Sequence, residues 1–182
     1  NILALAAKGC RVIVDDIGYL TAPVFENGIV AQAVDEVAAQ GVAYFSSAGN
    51  SGNINDGTSG VWEGNFEPRL QIELNGEAVE THDFGSGDAN RILQDPPLVI
   101  TMTWSDSFRG SRNDYDLFLI DPDHNFIAAS DNAQTGTQPP FEHIPSIADD
   151  GAPIDDRGNK LLVVRHAGDS IRYLHLNTNR GV

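Results

Sequence analysis

Apolar residues change their spacing part-way along the chain. Up to about residue 50 they come in short unbroken runs and in a helical period. Ile2-Leu3-Ala4-Leu5-Ala6-Ala7 reads as the last turns of a helix, with Lys8 near its C-terminus and Gly9 just beyond. Arg11-Val12-Ile13-Val14 is apolar on both faces, which predicts a parallel strand covered on both sides. Asn27 predicts an N-cap for a helix over 28–39, where Ile29, Ala33 and Val37 recur with Val30, Val34 and Ala38 alongside. Gly41 ends that helix, and Val42-Ala43-Tyr44-Phe45-Ser46 predicts the next strand. Strand, helix and strand with short connections give a right-handed parallel crossover.

After a glycine-rich polar loop over 51–60, the period becomes two. Leu70-Gln71-Ile72-Glu73-Leu74 alternates, and Asn75-Gly76 predicts a hairpin turn into Glu77–His82. Leu98, Ile100, Met102 and Trp104 fall on one face of a strand, and Val99, Thr101 and Thr103 on the other. Further strands are predicted over 115–120, 126–129, 161–166 and 171–176. The expected fold class is therefore α/β, a partial parallel-sheet core over residues 1–60, followed by an all-β antiparallel sandwich or jelly roll over 61–182. Residues 66–178 are expected to fold alone. The chain opens at Asn1 inside a helix and stops at Val182 without a closing element, so it reads as an internal piece of a longer protein.

Composition narrows the partners. With 41% hydrophobic residues a core can be buried, and a net charge of −15 repels phosphate backbones and anionic membranes. No nucleic acid and no membrane insertion are expected, and no run is long and apolar enough to span a bilayer. The single cysteine, Cys10, rules out an intrachain disulfide and reads as a small buried hydrophobe. The five histidines have no ligand spacing, so no zinc site is expected, and the glycine-rich loop lacks the P-loop's Lys-Ser/Thr.

The most informative segment is Gln40-Gly41-Val42-Ala43-Tyr44-Phe45-Ser46-Ser47-Ala48-Gly49-Asn50-Ser51-Gly52. It resembles the helix–Gly–strand–Ala-Gly-Asn-x-Gly signature of subtilisin-like serine peptidases. Val12-Ile13-Val14-Asp15-Asp16-Ile17-Gly18 is similar to that family's preceding strand, and one helix separates the two motifs as in the family. The resemblance covers residues 1–52. It implies that Asn50 is the oxyanion-hole asparagine, an amide donor aimed at charge that develops in acyl transfer. It also implies that Asp16, Ile17 and Gly18, with Ser47, Ala48 and Gly49, form two backbone walls that bind an extended peptide as an added strand. The bland readings are a turn asparagine and tight packing at strand ends. Asp15-Asp16 departs from the usual polar neutral residue and Ser; it reads as a structural or solvated carboxylate, as a rim charge favouring basic substrate side chains, or as part of the acidic machinery of sedolisin-like relatives, against which the resemblance sets Asn50, where sedolisins typically have Asp.

The family's catalytic Asp and His precede Ala-Gly-Asn and its Ser follows. No histidine lies before Asn50, and Gly57-Thr58-Ser59-Gly60 comes too soon after it to carry the nucleophile. The chain alone is expected to be inactive, and the parent to be a secreted or cell-surface bacterial endopeptidase acting on peptides or proteins.

The β portion also has a resemblance. Thr81–Asp88, Thr103-Trp104-Ser105-Asp106, Asn113–Leu119 and Ala129-Ser130-Asp131-Asn132 look like the β-sandwich modules of secreted bacterial subtilases, similar to pre-peptidase C-terminal domains. No cofactor is expected. Asp114, Asp116 and Asp131 offer hard oxygens suited to a structural Ca²⁺, but the preferred reading is that they cap turns and flank edge strands. The alternative function is a non-catalytic β-sandwich binding module attached to a degenerate peptidase core; a nucleotide-binding α/β domain is a more distant third.

Overall fold

A computed structural model of the chain describes residues 2–50, 52–74, 76–92, 99–145 and 158–178. The chain divides into two compact units, Asn1–Asn50 and Ser51–Val182. The dividing point lies ten residues before the predicted one, because the loop after Asn50 belongs with the strands that follow it.

The first unit contains α1 (Ile2–Ala7), β1 (Val12–Asp15), α2 (Ile29–Ala39) and β2 (Ala43–Ser46). β1 and β2 pair in parallel, with Val12 opposite Ala43 and Asp15 opposite Ser46. Ile13, Val37 and Val42 form its core, with Ile2, Ala6, Cys10 and Tyr44 packed around them. The helices thus cover the Ile13 face. The other face is bare: Val12, Val14 and Phe45 are 58%, 76% and 58% exposed. Asn27 does not cap α2. Gly28 is the N-cap and has no side chain to offer, while the Asn27 amide reaches Asp35 at 3.4 Å.

The second unit begins with a 3₁₀ turn (Ile54–Asp56) and continues as β3 (Val61–Asn65), β4 (Pro68–Leu74), β5 (Glu77–His82), β6 (Ala89–Arg91), β7 (Val99–Trp104), β8 (Asp114–Ile120), β9 (Phe126–Ser130), β10 (Phe141–Pro145), β11 (Lys160–Ala167) and β12 (Tyr173–Asn177). One sheet runs β10-β7-β12-β3, the other β4-β5-β11-β8-β9 with β6 also on β11. Every pairing in both is antiparallel. The period of two explains the packing. Ile100, Met102, Trp104, Leu174 and Leu176 of the smaller sheet share one cluster with Tyr115, Leu117, Leu119, Leu161 and Val163 of the larger. The alternate residues Phe118, Ile120, Leu162 and Val164 join Val79 in a second cluster on the larger sheet's other face.

The expected fold class needs correction. Of the described residues 41% are strand and 13% helical, with only two α-helices, and the sheets are antiparallel apart from the β1–β2 pair. The chain is a mostly-β protein, not an α/β parallel-sheet core followed by a β-sandwich. The helical period occupies only two short segments, and two parallel strands do not make a sheet with helices on both faces. Leu98, Asn75 and the chain ends lie outside the described residues.

Candidate functional site

Parallel pairing brings the C-terminal ends of β1 and β2 to the same edge. The ladder runs one step beyond the strands, since the Ser47 amide donates to the Asp15 carbonyl at 2.9 Å. Residues 16–18 therefore leave β1 beside the point where residues 47–50 leave β2. In an open parallel arrangement, this end of the strands is where loops diverge and ligands bind. Asp16, Ile17 and Gly18 are all exposed, as are Ser47, Ala48, Gly49 and Asn50. Gly49 has φ +77°, a region that favours glycine, and a Cβ there or at Gly18 would meet nothing within 4 Å. Both segments are thus open to an approaching backbone.

Asp15 and Asp16 separate cleanly. Asp16 points to solvent. Asp15 is 6% exposed, and its carboxylate accepts from the Ile17 amide at 3.0 Å, the Tyr19 hydroxyl at 2.8 Å and the Tyr44 hydroxyl. The Tyr44 bond, then the Tyr19 bond, hold Asp15 below the usual carboxylate range. In return the Asp15 bond raises Tyr19, and burial together with that carboxylate raises Tyr44. Of the wall over 16–18, the Ile17 amide is committed internally.

The loop over 52–60 closes on itself. Asn53 Oδ1 accepts from the Asp56 amide at 3.0 Å, and the Asn53 amide donates to Thr58 Oγ1 at 3.1 Å. Ser59 Oγ turns back to Val61, accepting from its amide and donating to its carbonyl, each at 3.3 Å. Ser59 is therefore engaged with local backbone, and no described histidine is hydrogen-bonded to it.

In the second unit the three aspartates considered for Ca²⁺ take separate roles. Asp131 is exposed. Asp114 accepts from the Gln134 amide at 3.2 Å, and Asp116 lies 3.2 Å from His166 Nδ1. Among the described residues no group of three or more His, Cys, Asp or Glu is arranged to hold a metal ion. Burial raises Asp116 to about 7, with the Asp114 charge adding to it. A second buried carboxylate, Glu142, accepts from Ser130 and from Asn132 at 2.8 Å. Burial raises it while those bonds oppose the rise. Asp106 gathers Ser111 at 2.6 Å, Asn113 at 2.7 Å and Arg172. Asp106 draws Ser111 and Asn113 from the loop that follows it and Arg172 from far along the chain, while the donors to Glu142 come from residues 130–134.

No protein-family model matches the chain, and no curated protein matches it either.

Proposed function

We propose that this chain is part of a subtilisin-like serine endopeptidase. In this reading Asn50 donates its amide to the oxyanion of the acyl-transfer transition state, residues 16–18 and 47–49 hold the substrate backbone, and the Ser51–Val182 unit is an accessory module similar to pre-peptidase C-terminal domains. The observation that carries it is the parallel register of β1 and β2, whose joined ends present two exposed segments side by side, with Asn50 at the end of one.

The chemistry follows from that arrangement. An extended peptide lying between the two segments would be held as an added strand, by main-chain bonds indifferent to its side chains. When a nucleophile attacks the scissile carbonyl, charge moves onto its oxygen. A neutral amide fixed on a strand end meets that charge without reorganising. The bare face of Val12, Val14 and Phe45 also supports a larger assembly, since parallel strands are normally covered on both faces. The catalytic acid, base and nucleophile belong to other parts of the parent, which is expected to be secreted or on the cell surface of a bacterium.

The test is Asn50→Ala in the full-length parent. The kcat should fall about 10²–10³-fold with KM little changed, the loss seen when a subtilisin's oxyanion asparagine is removed. An unchanged kcat would reduce Asn50 to a turn residue. A parent without turnover would favour the second reading, a non-catalytic binding module.

A further inference from the structure

We propose that Asp15 is a positioning residue whose buried carboxylate and carbonyl set the two rims of the substrate cleft, residues 16–18 and 47–49, in place relative to each other. The inference rests on the peptidase reading above and assigns a role that reading leaves empty.

Asp15 touches both rims at once. Its side chain holds the first through the Ile17 amide at 3.0 Å and the Tyr19 hydroxyl at 2.8 Å. Its carbonyl holds the second through the Ser47 amide at 2.9 Å. The Tyr44 hydroxyl closes the loop, tying the same carboxylate to the middle of β2. A buried carboxylate is costly unless donors or a cation satisfy it. Among the described residues no lysine or arginine pairs with Asp15, and two phenols and one amide take that place. Those bonds favour its ionised form, as its lowered pKa reflects.

The geometry needs a carboxylate. Three donors converge on two oxygens, the Ile17 amide on Oδ1 and the Tyr19 and Tyr44 hydroxyls on Oδ2. An asparagine would offer one oxygen, and its NH₂ would have to be met by a hydroxyl turned to accept. Asp16 has none of these partners. The rim is thus set by the inward member of the Asp15-Asp16 pair, while the outward member is left free. A carboxylate that merely capped the strand end would add stability without shaping what the rims bind.

The experiment compares Asp15→Ala and Asp15→Asn in the full-length peptidase, with kcat and KM read separately on a peptide amide. Asp15→Ala should raise KM roughly ten- to a hundredfold with kcat within about twofold, because the rims grip ground and transition states alike. Asp15→Asn should recover part of that loss. Should Asp15→Ala fail to fold, Tyr44→Phe removes one donor with little change of shape and should move KM the same way. An unchanged KM, or a fall in kcat at constant KM, overturns the proposal. A wild-type protein without turnover overturns the peptidase reading and the cleft role with it. The clamp is then judged separately in the 182-residue chain by ultraviolet titration of its four tyrosines. If the clamp exists, Asp15→Ala brings two late-titrating phenols down towards the ordinary value; if not, all four titrate as before.

Discussion

His82 has no exposure to solvent. Its Nδ1 accepts from the Glu67 amide at 3.0 Å, which assigns the ring proton to Nε2, an atom with no hydrogen-bond partner among the described residues. Trp62, Phe84 and Phe66 surround the ring at centroid distances of 4.8, 4.5 and 5.4 Å. Burial pushes its pKa down to about 4, against the small opposing effect of Asp83. Because the folded value lies below the unfolded one, the folded state binds fewer protons. The stability tied to neutral His82 is complete above about pH 6.5 and is lost as pH falls towards 4, at most about 3 kcal/mol. His82→Asn should cost stability at pH 7 through the cavity it leaves, yet flatten the acid limb. Urea unfolding at about pH 7, 5.5 and 4.5 measures this, and a constant gap between wild type and variant would clear His82 of the effect. At this scale the sequence speaks unevenly. Asn50 is a candidate because its motif is contiguous. The burial of Asp15 is legible only through strand alternation, which puts it on the buried face with Ile13, and its bond to Tyr44 is one that no local pattern announces.

Elements with a clean period are legible: β4 contains the alternating Leu70–Leu74 run, and β5 falls at Glu77–His82, where the Asn75-Gly76 signal places it. β3, β6 and β10 lie outside the predicted strands for physical reasons. β3 carries Gly64, against which the Trp62 ring packs, so the residue that weakens the pattern makes room for the indole. β6 has three residues and depends on β11 for its pairing. β10 turns Glu142 inward, a polar residue where the period calls for an apolar one, satisfied by donors over 130–134. The same principle governs the join of β5, β11 and β8. His166 Nδ1 lies 3.2 Å from Asp116 and its Nε2 2.7 Å from Glu77, so both ring nitrogens face carboxylate oxygens. Both contacts are attractive only with one proton more than a neutral ring and two carboxylates carry. Asp116 is raised to about 7 by burial, then by Asp114, with Glu142 adding and His166 opposing. His166 is raised as well: burial lowers it, but Glu77, Asp116 and Asp114 outweigh that. Raised folded values mean that the stability is present at low pH: for Asp116 it is lost as pH rises from about 4 to about 7, and for His166 the loss begins above about pH 6.5. The melting-temperature advantage of the wild type over Asp116→Asn should therefore shrink as pH rises from about 4 to 7. A constant gap between the two across that range would clear Asp116 of the effect.

At the scale of the whole molecule, the two units differ in how far each satisfies itself. Among the described residues, Asn1–Asn50 has one small core, one bare sheet face and two strand edges without a partner strand, a condition that parallel strands rarely tolerate. Ser51–Val182 buries Trp104, Tyr115 and Phe66 fully between its sheets and ties its ends together, with the Thr178 amide donating to the Gly60 carbonyl at 2.7 Å. That bond shows why residue 66 is the wrong place to start an independent domain. β3 pairs with β12 along its whole length, from Val61 opposite Asn177 to Asn65 opposite Tyr173, and Trp62 packs against the central cluster. Cutting at 66 removes an edge strand and that indole, and exposes the amides and carbonyls of β12 on one side. The unit should therefore fold when it begins at Ser51. Expressed as residues 51–182, it should give a single cooperative thermal transition and dispersed amide resonances, whereas residues 66–182 should melt lower by many degrees or not fold. Truncating a fully buried tryptophan costs about 3–5 kcal/mol and the partly buried Trp62 less, but one kcal/mol is worth several degrees in a domain of this size. Residues 1–50 alone should be insoluble or lack a transition. Equal melting temperatures for the two longer fragments would show that β3 is an ornament on the sheet, and a folded 1–50 would show that the bare face needs no partner.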